Sequence, residues 1–478
     1  MSEKKTDQLL RDIKKLAIMM SNAAEPVAVL THYDADGLAS GGATARFLSK
    51  TEKLFILRST ASLSEDVLNA FFSIRAKTYV IQDMGSGDLK MIYSKWKNTN
   101  SKLLVIIDHH KILEEPPQDK RVVIVNPEMY GIDGGRIGCT SVLASLMGYY
   151  GLGERDPYFL EIGVVGAAGD MQMQNGAVGV NEYLLRLAEG KGIVKKETEF
   201  VFFTLRRLPV FKAIVWNLVP YIPGFSNRED IGLNIVRKAG IRIRNRSGEY
   251  VTVAELTEEE KTRILEVIIK YIASLGIDGL SSNDFLVDVL YLPLEEDPYL
   301  QTAIEFSNMI SSCGRMDRED VGIALSAGSR GEILMEAKKI IEERRKILGK
   351  YLDMAERSIK IYDGMLVIVD LTEKDFSVKF SGTISTIFSR SLTYGDKIIL
   401  VLSSDEAGDI HLSSRAPRKL VDKGLDLSKI MRKISEELGG RGGGHNIAAG
   451  ATIPVEDSSK IIEKIREYIK EEIARIEG

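Results

Sequence analysis

Between Pro26 and about Gly190, five short apolar runs (residues 27–30, 53–57, 78–81, 103–107 and 122–125) alternate with segments of helical period (37–49, 138–150 and 158–168). Strand side chains alternate faces, so a run that is apolar throughout needs cover on both sides. Strands separated by helices pair in parallel. The pattern therefore specifies an α/β fold whose mostly parallel sheet lies between helical layers. In such folds ligands collect beyond the carboxyl ends of the strands. The chain places acid at three of those ends: Asp34, Asp83 and Asp108.

The residues there have a common chemistry. His32-Tyr33-Asp34-Ala35-Asp36-Gly37 follows the first run, Asp83 the third, and Asp108-His109-His110 closes the fourth; Asp170 ends the helical stretch Gly166-Ala167-Ala168-Gly169. The chain has only 5 histidines, and two stand side by side. Any one such end is an ordinary turn. Four in series put imidazoles and carboxylates in one small volume, where like charges repel unless cations neutralise them. Strand alternation would point His32, Asp34 and Asp36 to one side. Carboxylate and imidazole without thiolate suit Mn²⁺ or Mg²⁺ better than a structural zinc ion. Two such ions sharing a carboxylate are a device for phosphoester hydrolysis. The expected ligands are His32, Asp34, Asp36, Asp83, His109 and Asp170, holding two ions. Asp108 is expected to orient an imidazole, and His110 to face the scissile phosphate.

Other features bound the reading. A chain of 478 residues is long enough for two or three domains. Cys139 and Cys313 offer no disulfide framework, and no long apolar span or signal peptide stands out, so a cytoplasmic protein without a membrane partner is expected. A net charge of −4 neither advertises nor excludes a nucleic-acid partner. Residues 1–191 read as the metal-site domain and 192–297 as a helical insertion. Residues 298–330 read as the remainder of the first lobe, 331–361 as a charged connector helix, and 362–478 as a smaller α/β domain. In the last, Gly439–Gly444 with Arg441, followed by His445, reads as a glycine-rich loop whose backbone N–H groups and positive φ angles suit an anion. Met171-Gln172-Met173 reads as packing.

The order Asp34/Asp36, Asp83, Asp108-His109-His110, Asp170 resembles the DHH phosphoesterase superfamily. Many relatives carry a histidine four residues before the first Asp, where this chain has Leu30; His32, two before it, resembles the RecJ-like branch. Gly314-Arg315-Met316-Asp317 resembles a stretch of RecJ exonucleases, and Gly442-Gly443-Gly444-His445-Asn446-Ile447-Ala448-Ala449-Gly450 resembles the loop of the DHH-associated C-terminal domain. Ser413-Ser414-Arg415 is similar to that domain's Ser-x-Arg element. The resemblance implies a single-strand exonuclease releasing mononucleotides from DNA or RNA, close to the archaeal branch associated with the GINS replication complex. It implies strand contacts at Arg315, Ser413, Arg415, Arg441, Gly443, Gly444 and His445. A short-oligonucleotide or phosphoadenosine phosphatase of the same superfamily is one alternative. A replication scaffold subunit is another.

Overall fold

The computed structural model describes residues 2–173, 176–454 and 458–477. The chain divides into two compact units, Met1–Thr198 with Asp288–Arg344, and Glu199–Val287 with Arg345–Gly478. The division falls within one 26-residue helix, Glu332–Arg357. Among the described residues no helix is long and apolar enough to cross a membrane.

The first unit is built on five parallel strands, β1 (Val27–His32), β2 (Phe55–Thr60), β3 (Thr78–Gln82), β4 (Leu103–Ile107) and β5 (Val122–Val125), in the order β2-β1-β3-β4-β5. Their continuous apolar runs split by residue parity. Val27, Val29, Val80, Val105, Ile107 and Val125 enter one core, which also takes Leu9, Ile13, Leu16 and Met20 of the first helix. Ala28, Leu30, Tyr79, Ile81, Leu104 and Ile106 enter a second core with Phe71, Ile92 and Trp96. Both faces are covered, as the uninterrupted hydrophobicity requires. On the first face lie α1 (Ala35–Lys50), α2 (Thr140–Gly151), α3 (Tyr158–Gly169), α4 (Ala303–Arg315) and α5 (Glu319–Ser326). The polypeptide thus returns to this unit after residue 288. Gly314 shows how closely: a Cβ there would stand 1.8 Å from the Tyr33 carbonyl oxygen, so α4 meets the turn after β1 backbone to backbone.

The second unit holds a phenylalanine-rich helical module and a mixed sheet. Phe202, Phe203, Phe211, Phe225 and Phe285 pack with Ile264, Ile268 and Ile272 of the helix Glu258–Ser274. That helix starts where Thr257 and Glu260 form a reciprocal capping box. The module joins the rest of its unit through Tyr221, whose hydroxyl donates to Glu356 Oε1 at 2.5 Å and whose ring meets Phe388 edge-on. The sheet contains β6 (Ile359–Tyr362), β7 (Leu366–Asp370), β8 (Ile398–Ser404), β9 (Ile410–Arg415), β10 (Arg441–Gly444) and β11 (Ala448–Ile453), ordered β10-β11-β9-β8-β7-β6.

The glycine run is not a loop. Residues 441–444 form β10, paired antiparallel with β11 through a turn in which His445 N donates to Ala448 O at 2.8 Å. Glycine is needed there because α6 (Leu427–Glu437) lies directly on the strand. A Cβ on Gly442 would approach the Met431 carbonyl oxygen to 2.4 Å. On Gly443 it would meet nothing within 4 Å. Small residues let the helix close on one face and leave the other open.

Candidate metal centre

The carboxyl ends of β1, β3 and β4 lie side by side in the sheet, and each delivers one part of the site. β1 ends at His32; Asp34 is the N-cap of α1, accepting from Gly37 N at 3.0 Å, and Asp36 lies in the helix's first turn. The expectation that strand alternation aligns His32, Asp34 and Asp36 is therefore corrected. A strand running into a helix start brings them together instead. After β3 the backbone turns sharply, with Asp83 at φ 61°, and its amide donates to the Ile107 carbonyl at 3.0 Å. Asp108-His109-His110 leaves β4, and Asp170 caps the carboxyl end of α3.

Asp83 is the hub. It is 2 % exposed, its Oδ1 lies 3.4 Å from His109 Nε2, and its Oδ2 lies 3.4 Å from His32 Nδ1. His32 Nδ1 is also 3.1 Å from Asp34 Oδ2. Asp36 Oδ2 stands 3.8 Å from His109 Nε2, and Asp170 Oδ2 lies 3.8 Å from His109 Nδ1. Three groups have ligand atoms within 4.8 Å of one another: His32/Asp34/Asp83, Asp83/His109/His110 and Asp36/His109/Asp170. The structure thus brings together all six residues expected as ligands. It also offers His110 a place beside Asp83 and His109.

The donor set fits divalent metal. His32 Nδ1 and Asp83 Oδ2 are buried and face each other, yet neither finds a hydrogen-bond partner. Buried lone pairs without partners are costly, and a cation would use both. His109 is pre-set for the same role. Its Nδ1 stands 3.0 Å from the Gly134 carbonyl, which only accepts, so that nitrogen carries the proton and Nε2 turns its lone pair to the carboxylates. Asp108 is fully buried and belongs to none of the three groups. Its Oδ1 accepts from the His109 and His110 amides and from His110 Nδ1 at 2.8 Å, while Oδ2 accepts from Ser86 N. It holds the proton on His110 Nδ1.

Charge is unbalanced without cations. Burial, Asp83 and Asp170 push the Asp36 carboxyl well above the usual range. Burial also raises Asp170, to about 6, with Asp83 and Asp34 adding to it against His109. For Asp83 burial is outweighed by the His109 and His32 imidazoles, which hold it well below the usual range. Those imidazoles overcome their own burial through neighbouring carboxylates and are raised well above the ordinary histidine value. Protons here occupy positions that metal would take, so loading should release them.

Four supporting residues escaped the sequence reading. Asp36 is gripped by the Thr140 and Ser141 amides, at 2.8 and 2.9 Å, at the N-terminus of α2, where the helix dipole favours an anion. The Thr140 hydroxyl donates to Asp83 Oδ1 at 3.1 Å. Gln172, expected to be mere packing, is a brace. Its Nε2 donates to Asp170 Oδ2 at 2.7 Å and Gly134 O at 2.9 Å, and its Oε1 accepts from Gly138 N and Asn181 Nδ2. Asn126, directly after β5, donates to the His110 carbonyl and the Ser86 hydroxyl. An amide between two methionines and a polar residue ending an apolar strand were the available signals.

The expected strand contacts lie in both units. Arg315 ends α4, directly after the Gly314 contact with Tyr33. In the second unit, register puts Arg441, Thr452 and His411 opposite one another, as it does Gly443, Gly450 and Ser413. Opposed residues share a face, so Arg441, Ser413 and Arg415 project to one side. Ser413 Oγ lies 2.9 Å from Ser385 Oγ, and Arg415 Nε donates to Thr386 Oγ1 at 3.2 Å. Gly444 ends β10, and exposed His445 begins the turn.

Residues 26–162 match the model of the DHH family, N-terminal domain, and residues 367–471 match that of the DHHA1 domain. The chain belongs to the DHH superfamily. An uncharacterized protein of Methanocaldococcus jannaschii is 28 % identical over 460 residues, covering 94 % of each chain. CDC45 from Entamoeba histolytica is similar with a TM-score of 0.63 at 9 % identity, over 98 % of this chain and 99 % of that one. RecJ from Thermus thermophilus in complex with Mn²⁺ is similar with a TM-score of 0.55 at 13 % identity, over 96 % of this chain and 54 % of that one. At these identities the two structures establish likeness of fold alone; this chain has a parallel-sheet N-terminal domain and a separate C-terminal sheet domain, like RecJ.

Proposed function

We propose that this protein is a metal-dependent exonuclease that hydrolyses single-stranded DNA or RNA to mononucleotides, in replication or repair. One observation carries the reading: Asp83 turns its two oxygens to two different ligand groups. His32, Asp34 and Asp83 would hold one Mn²⁺ or Mg²⁺, and Asp36, Asp83, His109 and Asp170 the second. The manganese-bound RecJ of the same fold supports this choice of metal. Bound there, the ions would activate water and offset the charge that develops on the phosphate. As the imidazolium, favoured over its burial by the bond to Asp108, His110 would donate from Nε2 to a phosphate oxygen while Nδ1–H stays on Asp108. Ser413, Arg415 and Arg441, with Gly443, Gly444 and His445, would hold the strand, and Arg315 adds a cation next to the Tyr33–Asp34 turn.

A second reading has its own support. The likeness to CDC45 extends over nearly the whole of both chains, which is consistent with a subunit of a replication assembly; the GINS-type partner rests on the sequence resemblance. The ligand set argues that such a subunit would also retain hydrolysis. The deciding experiment uses single-stranded DNA and RNA labelled at either end and incubated with Mn²⁺. Mononucleotide release from a long strand is expected. Cleavage confined to dinucleotides or phosphoadenosine would favour the phosphatase alternative, and no cleavage of any of these would leave the scaffold reading.

A further inference from the structure

The inserted module carries a basic surface that the metal centre does not use. From Ile231 to Gly248 the chain has Arg237, Lys238, Arg242, Arg244 and Arg246 and no Asp or Glu, against a net charge of −4 overall. All five are exposed, and among the described residues none forms an ion pair. The acids just before this stretch are already engaged, Glu229 near Lys212 and Asp230 with Arg228.

Three of the arginines stand on a built hairpin. Arg244 bridges Tyr250 antiparallel, Val251 N donates to Ile243 O at 3.0 Å, and Asn245 N donates to Glu249 O at 2.8 Å. The Asn245 side chain fixes the turn by accepting from the amides of Ser247 and Glu249, both at 3.1 Å. Ile241, Ile243 and Val251 pack into the phenylalanine core. Alternation therefore sends Arg242 and Arg244 outward, and Arg246 stands in the exposed turn. The Arg244 guanidinium lies 4.1 Å over the Tyr250 ring and bonds to the Gly248 carbonyl. Tyr250 is 41 % exposed and braced by Phe211 at 5.2 Å.

We propose that the outward face of this hairpin binds single-stranded nucleic acid, with Arg242 and Arg246 on phosphates and the Arg244–Tyr250 stack as a platform for a base. A planar guanidinium held over an aromatic ring is a surface on which an unstacked base can lie. An acidic protein would need the charge but not the platform. The surface extends the proposed single-strand activity, and for its purpose it rests on that reading.

The test uses the full chain in EDTA, so that nothing is cut, with fluorescent poly-dT and poly-U strands over a range of salt. Combined Arg242→Ala, Arg244→Ala and Arg246→Ala should weaken long-strand binding about tenfold or more and lower the salt slope by roughly 1.4, at ~0.7 for each of two phosphate contacts. Tyr250→Ala should cost roughly tenfold with the slope unchanged. Dinucleotide binding should not change, and the triple Arg→Lys variant should restore the slope but not the full affinity. A triple Ala variant that binds like wild type, or a wild-type protein that binds neither strand, would overturn the proposal. So would a variant that loses polyglutamate but keeps the strand. Wild-type hydrolysis in Mn²⁺ is measured in parallel. If it is absent while the hairpin variants still lose binding, the catalytic reading falls and this one stands. If it is present while they bind normally, the reverse holds.

Discussion

Gln172 offers a test of the centre at a residue outside the expected ligand set. Leu in its place keeps the volume and removes every polar contact. The Gly138 amide and the Asn181 side-chain amide then lose a buried acceptor, and Asp170 loses its 2.7 Å donor. A buried polar group left unpaired costs about 1–3 kcal/mol, so the two orphaned donors together should cost about 2–6 kcal/mol. Thermal unfolding should drop by several degrees in consequence. The effect on metal runs through His109, because Gln172 also holds the Gly134 carbonyl that fixes the His109 tautomer. Loss of such an orienting contact weakens metal binding by roughly 10–100-fold. Calorimetry with Mn²⁺ and denaturation in EDTA separate the two effects. Gln172→Glu is the sharper companion. It keeps an acceptor for Gly138 and Asn181 but sets a second carboxylate against Asp170, so its stability should fall with rising pH. A Leu variant with wild-type melting and wild-type Mn²⁺ affinity would refute the bracing role.

Other outcomes follow from the same geometry. Asp170 is raised from 3.8 to about 6 in the folded chain, so its contribution to stability is fully present below pH 3.8 and lost as pH rises through about 6; metal-free protein should lose stability across that window, and Asp170→Asn should flatten the loss. Saturating Mn²⁺ should reverse the trend, since the ligands must be deprotonated to bind it; melting curves in EDTA and in Mn²⁺ check both. His109→Ala should lower Mn²⁺ affinity, whereas His110→Ala should leave most of it and slow strand hydrolysis ~10²–10³-fold. Equal metal loss in both would move His110 into the ligand set, where its distance to Asp83 and His109 already permits it. Gly314→Ala drives a Cβ to 1.8 Å from the Tyr33 carbonyl, so α4 must shift, at about 1–3 kcal/mol or more; near-wild-type melting would show that the helix end gives way freely.

Much of the fold was legible because burial wrote it into the sequence. A strand covered on both faces cannot tolerate polar residues, and β4 and β5 occur where the apolar runs at 103–107 and 122–125 place them. The clustered acids and imidazoles were legible as candidate ligands because isolated acid and imidazole after such strands have few other uses. What failed was geometry that depends on a distant partner. The stretch at 441–444 carries every local mark of a loop, and it is a strand because α6 requires a surface without side chains. Alternation was extended one residue too far past His32, where the N-cap at Asp34 had already started a helix. Gln172 looked like filler because its partners, Gly134, Gly138 and Asn181, are remote in sequence and only the fold unites them.

The account turns on Asp83 as the carboxylate shared by two ions. The direct measurement is the low-temperature electron paramagnetic resonance spectrum of Mn²⁺-titrated protein, wild type and Asp83→Ala, with strand hydrolysis followed in the same samples. Wild type should bind two Mn²⁺ and show an exchange-coupled pair. The variant should keep its fold, because Asp36 and Asp170, which Asp83 repels, still face His109, while losing both the coupling and hydrolysis. A coupled pair that survives in Asp83→Ala, or strand hydrolysis that continues without it, would contradict the account.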